Sequence, residues 1–125
     1  MAPLSIICLF APFPLWLLET LLPHPHFIEE IFKFFIVKSA PKKTNWLLPL
    51  IFGLLFSLSE SILYLVNFFA LGNFHNLITR LILTSLLHTS LFFLLYFTRS
   101  SRPISYLSLF LAIFIHFTYN RLVSP

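Results

Sequence analysis

The sequence predicts an all-α, polytopic bundle of about five membrane helices, the second of them short. Three observations predict it. Only 10% of the 125 residues are charged and 58% are hydrophobic, where a soluble domain carries roughly a quarter of its residues charged. The apolar runs are long and unbroken, with a mean hydropathy of +0.93. That suits helices satisfying their own backbone groups in lipid, not the alternating short strands of a barrel. Finally, proline and charge punctuate the runs at intervals close to the length of a membrane span.

The first span is expected over residues 4–22, kinked by Pro12 and Pro14 and closed by Pro23-His24-Pro25, because proline can neither donate to nor continue the helical ladder. It has no basic leader segment, so it reads as a retained span and not a signal peptide. Cys8, the one cysteine, forms no disulfide framework or ligand set. The second span, 26–39, is roughly 20 Å long, less than the ~30 Å hydrocarbon core. The third, 45–71, follows a basic turn in which Thr44 or Asn45 can cap it, and places Pro49 in its first turn, where proline is tolerated. Gly72-Asn73 makes a turn into the fourth span, 74–97. The run from Arg99 to Pro103 separates that from the fifth, 104–122. With no internal repeat or linker, residues 1–125 read as one integral-membrane domain.

Loop charge sets an orientation. With five crossings, Lys38, Lys42, Lys43, Arg99 and Arg102 fall on one side with the N-terminus, and only Arg121 dissents. Basic loops stay in the cytoplasm, so the N-terminus is expected there and the C-terminus outside. The net charge of +4 is topology charge of this kind, and it forms no basic face for nucleic acid.

Ionisable residues inside spans are expensive, and by default they mark a functional site with partners. Here they fall at helical spacings. Lys33 is i+4 to Glu29 and i+3 to Glu30. Glu60 precedes Tyr64 by one turn. Arg80, Thr84 and His88 share a face, as do His116 and Asn120. Counted from the non-cytoplasmic ends, His116 lies roughly 9 Å deep and Glu60 and His88 roughly 16 to 18 Å. Glu29 and Glu30 lie within about two turns of the same side. Four helices can therefore contribute to one polar cavity in the outer half of the bilayer. Each element also has a plainer reading: an interfacial ion pair for Glu29 and Lys33, a hydrogen-bonding core histidine, a helix end at Asn120. Trp16, Trp46 and Tyr64 read as core or belt aromatics, and His24, His26 and His75, near span ends, take no role.

Adjacent carboxylates in a dry site do not both ionise readily, and a nearby lysine can hold one of them charged. Such a pair can act as general base on water and then as general acid to a leaving amine. A histidine and an asparagine on facing helices can orient the water or bond the oxyanion. The set suits hydrolysis of an acyl bond.

These residues resemble the PrsW-type intramembrane proteases, relatives of the CAAX prenyl and bacteriocin-processing proteases. Glu29-Glu30-Ile31-Phe32-Lys33 resembles that family's Glu-Glu-x-x-Lys motif. The segment from Phe56 to Glu60, followed by Tyr64, is similar to its second motif. Arg80 and His88 resemble the basic residues of its third, and His116 to Asn120 its closing His-x-x-x-Asn. The four occur in order from about Phe27 to Arg121. Ser61 stands where the family usually has asparagine and Leu55 where it has glycine, and the chain has fewer spans than typical members. The resemblance implies proteolysis of a membrane-anchored protein, such as an anti-sigma factor, with Glu29, Glu30, His88 and His116 as the catalytic set. Lys33, Glu60, Tyr64, Arg80 and Asn120 would support them. It also leaves two cofactor readings: no metal, which is favoured for want of a His-Glu-x-x-His helix, or zinc on Glu30, His88 and His116. The competing class is a non-enzymatic proton or ion pathway using the same Glu and His residues as a relay.

Overall fold

Proline divides the first predicted span in two. The computed structural model, which describes residues 2–21, 24–41, 43, 45–71 and 77–123, has α1 at Ala2–Phe10 and α2 at Pro12–Glu19. Ala11 between them keeps helical dihedrals and donates to Ile7 O. Pro12 and Pro14 have no N–H to offer the turn above, so the ladder breaks without the chain reversing. Beside the break, the carbonyl of Leu9 accepts from Ser59 Oγ of a later helix.

The remaining helices follow the expected pattern closely. α3 spans Pro25–Ser39 and opens on proline at its first position. It ends where Ala40 turns extended ahead of Pro41. α4, Leu47–Leu71, is capped by Asn45, whose Oδ1 accepts from Leu47 N at 3.0 Å. α5 covers Leu77–Thr98 and α6 Arg102–Val123. The other proposed cap, Thr44, lies outside the described residues, as do Pro23, Lys42, His75, the Gly72-Asn73 turn and the first residues of the predicted fourth span.

All the described secondary structure is helical. Among the described residues, three helical stretches are long and apolar enough to cross a membrane: Leu47–Val66, Ile78–Thr98 and Arg102–Val123. Five such spans are not found among these residues, for two physical reasons. The broken first span leaves α1 and α2 with 9 and 8 residues. α3 has 15 and carries Glu29, Glu30, Lys33 and Lys38 among its apolar residues.

α4 and α5 pack antiparallel, as do α5 and α6. α4 lies along α5, with the rings of Phe52 and Phe56 edge-on to Phe92. The two backbones come close at Gly53, where a Cβ would sit 2.5 Å from Thr89 Cα. α1 packs on α4, and α3 is held by α2, α5 and α6. One end of the bundle gathers the basic turns. Lys38 Nζ donates to Arg99 O at 2.7 Å and to Ser105 Oγ at 2.8 Å. Arg99 donates to Tyr96 O and Pro41 O, and Asn45 N donates to Tyr96 OH. The loops expected on one side are thus physically joined there. Outward faces are apolar, with Ile78, Phe69, Phe110 and Leu122 largely exposed, as a lipid-facing surface requires.

Candidate active site

α3 carries the polar stripe that the rest of the site assembles around. Residues 26, 29, 30, 33 and 37 fall on one side at helical spacing, and that side faces α5 and α6. Val37 at the basic end is apolar and fully buried. Above it Lys33 is fully buried, as is Glu30, while Glu29 retains 8% exposure. Lys33 Nζ donates to Glu30 Oε1 at 2.5 Å, lies 2.8 Å from His88 Nδ1 and stands 3.5 Å from Glu29 Oε2. An ammonium has three donors and no acceptor, and two of them go to Glu30 and His88.

The protonation pattern follows from that bond. Because Lys33 can only donate, His88 Nδ1 accepts, so neutral His88 carries its proton on Nε2. That nitrogen is bonded to Glu60 Oε2. Glu60 Oε1 accepts from Tyr64 OH at 2.7 Å. On the other flank His116 Nδ1 lies 2.7 Å from Glu30 Oε1 and 4.0 Å from Glu29 Oε2. The result is a continuous chain from Tyr64 through Glu60, His88, Lys33 and Glu30 to His116, crossing four helices. The His88 and His116 rings are 5.4 Å apart and nearly perpendicular.

Two carboxylate oxygens are left over. Glu29 Oε2 and Glu30 Oε2 are buried and have no hydrogen-bond partner. Buried carboxylate oxygens are normally bonded. Beneath this cluster, toward the basic end, the core is apolar: Phe52, Phe56, Leu91, Phe92 and Leu95 are all buried. The polar chain therefore runs across the bundle and stops at that layer.

Of the nine residues singled out in the sequence, seven converge: Glu29, Glu30, Lys33, Glu60, Tyr64, His88 and His116. Arg80 stands one step back, its guanidinium 4.2 Å from the centre of the Tyr64 ring. Thr84, on the same face as Arg80 and His88, bonds instead to Tyr119 at 3.0 Å. Asn120 is the exception, being half-buried and bonded to none of the cluster. It lies one turn, about 6 Å, past His116 along α6. That is beyond His26, whose ring already packs on those of His116 and Phe117. His26, given no role in the sequence reading, is buried with its Nε2 unpartnered. Its place on the stripe with Glu29, Glu30 and Lys33 was the available signal.

Among the described residues, carboxylate and imidazole donors that come within 4.8 Å of one another form two groups of three, Glu29–Glu30–His116 and Glu29–Glu60–His88. The zinc set weighed from sequence, Glu30–His88–His116, is not one of them, because Lys33 Nζ lies between Glu30 and His88 and bonds both. Comparison with protein-family models, with curated proteins and with solved structures finds no match to this chain.

Proposed function

We propose that this protein is an intramembrane endopeptidase that hydrolyses a peptide bond of a membrane-anchored protein with a glutamate-activated water. The observation that carries the reading is the pair of buried, unpartnered oxygens, Glu29 Oε2 and Glu30 Oε2, beside His116. A water donating one hydrogen to each is oriented with a lone pair directed away from both. Glu30 is anchored through Oε1 by Lys33 and His116. Glu29 has only longer contacts and is free to take the proton. As that proton moves to Glu29, the water oxygen bonds the scissile carbonyl carbon and the C=O π pair moves onto the oxygen as the oxyanion. Collapse of the tetrahedral species breaks the C–N bond, and Glu29 returns the proton to the leaving amine. Lys33 offsets the cost of two adjacent carboxylates in a dry site. No metal has a step in this scheme.

The chain crosses the membrane five times in this reading, α1 and α2 together forming one broken crossing and α3 a short one. The joined basic turns face the cytoplasm, which puts the carboxylates in the outer half of the bilayer. The resemblance to PrsW-type proteases supports the same role and suggests anti-sigma-type substrates. A second reading, a proton pathway, draws on the unbroken chain from Tyr64 to His116. The apolar layer beneath the cluster favours hydrolysis, since a conducting path needs to continue to the other face. Comparing new protein C-termini in membranes carrying the wild type or Glu30→Gln tests the proposal. Termini that appear only with the wild type support it, and identical profiles contradict it.

A further inference from the structure

Arg80 has no step in the hydrolysis. It lies in the first turn of α5, the end where the helix dipole disfavours a cation, and it is half-buried. His88 is two turns further on, about 12 Å along the axis, and Arg80 turns instead to α4. Its guanidinium lies 4.2 Å from the centre of the Tyr64 ring and bonds the Tyr64 hydroxyl. Arginine only donates, so the Tyr64 proton goes to Glu60 Oε1, at 2.7 Å. Glu60 Oε2 bonds His88 Nε2, and His88 Nδ1 is 2.8 Å from Lys33 Nζ. A cation that cannot accept therefore stands at each end, Arg80 behind Tyr64 and Lys33 behind His88, and the bonds from both sides point at Glu60. Three carboxylates meet in this cluster. Lys33 bonds Glu30 and stands close to Glu29, and Arg80 is the cation joined to the third.

We propose that Arg80 is a positioning residue: through Tyr64 it keeps Glu60 accepting on both oxygens, and so commits Lys33 to the water-activating pair. Its consequence for rate rests on the hydrolase reading above, and its consequence for His88 does not. If Glu60 held a proton on Oε2, it would donate to His88 Nε2. Neutral His88 would then carry its own proton on Nδ1, facing the Lys33 ammonium, donor against donor. Lys33 would have to leave His88, and with it the place it holds beside Glu30 and Glu29. The charge of Arg80 opposes that step by its attraction for the Glu60 carboxylate across Tyr64, in surroundings of low dielectric. Packing of Arg80 on the Tyr64 ring alone would leave the His88 proton unaffected. Arg80 touches no reacting atom.

The test is nitrogen NMR of the full chain in lipid nanodiscs, with isotope-labelled histidine and the His88 signals identified by their loss in His88→Gln. Wild-type His88 is expected to show a protonated Nε2 and a bare Nδ1. Arg80→Met removes the charge and keeps an apolar stem, whereas Tyr64→Phe keeps the ring and removes the link. Each is expected to raise the Nδ1–H share of His88 several-fold, and the double variant to match the single ones. Arg80→Lys is expected to restore the wild-type pattern. With a cleavable substrate, Arg80→Met is expected to lower kcat about tenfold, equivalent to about 1.4 kcal/mol, with KM little changed. A His88 proton that stays on Nε2 in Arg80→Met overturns the assignment, and so does one that stays there in Tyr64→Phe. If Arg80→Met does not fold, Tyr64→Phe decides the question alone. The NMR readout needs no turnover, so a shifted His88 in a chain that cleaves nothing upholds the role of Arg80 and counts against the hydrolase reading. Cleavage by the wild type with no shift in the variants does the reverse.

Discussion

Lys33 Nζ lies 2.8 Å from His88 Nδ1, a contact that joins α3 to α5 and fixes which ring nitrogen of His88 faces Glu60. Lys33 also serves Glu30, so removing it leaves buried carboxylates unneutralised. Lys33→Met is expected to destabilise the protein by about 3–5 kcal/mol, read as a lower melting temperature in detergent. Adding Glu30→Gln to that variant is expected to recover part of the loss, with a coupling of up to about 3 kcal/mol. Additive losses would show that the two side chains do not act as a pair.

Gly53 faces Thr89 with no room for a Cβ, since the nearest atom is Thr89 Cα at 2.5 Å. Backbone cannot move aside as a side-chain tip can, so Gly53→Ala must part α4 from α5. A loss of about 1–3 kcal/mol is expected. Because α4 carries Glu60 and α5 His88, the same variant is expected to lower activity by loosening that contact. Unchanged melting would mean that the helices do not approach as described.

Topology can be read by cysteine labelling in a Cys8→Ala background. His24, Ser100 and Arg121 are exposed. In intact cells an impermeant maleimide is expected to label His24→Cys and Arg121→Cys, and to reach Ser100→Cys only after the membrane is opened. If α1 to α3 do not cross, His24→Cys is protected together with Ser100→Cys, and the five-crossing reading fails.

Metal dependence has a simple check. The Lys33 ammonium stands where a cation bridging Glu30 and His88 would have to sit. Activity is expected to survive exhaustive dialysis against a chelator. Loss of activity that zinc restores would contradict this and direct attention to the Glu29–Glu30–His116 group.

Much of this site was legible in the sequence because charge in an apolar helix is costly enough to be rare. Glu29, Glu30, Lys33, Glu60, His88 and His116 stand out for that reason, and helical spacing correctly paired Glu30 with Lys33 and Glu60 with Tyr64. Depth was a weaker guide. Rise along each helix separates His116 from Glu60 and His88 by several ångströms, yet the structure brings all three into one cluster, because helix ends do not all lie at one level. Spacing also placed Asn120 with His116. It cannot report where the partner helix α3 begins, and α3 begins too late to meet Asn120. His26 was passed over for the converse reason: lying near a span end suggested exposure, whereas α6 covers it. Pro12 and Pro14 announced a kink, but whether a kink becomes two helices depends on the packing around it, where Ser59 bonds the carbonyl of Leu9.

The most direct measurement is the cleavage rate of a purified membrane-anchored substrate by the wild type and by Glu29→Gln. Glu29 makes only long contacts, at 3.5 and 4.0 Å, so the near-isosteric change is expected to leave the melting temperature close to that of the wild type. If Glu29 takes the proton from water, the rate is expected to fall by about 10²- to 10⁴-fold. Cleavage by a folded Glu29→Gln protein at the wild-type rate would contradict the glutamate-activated water.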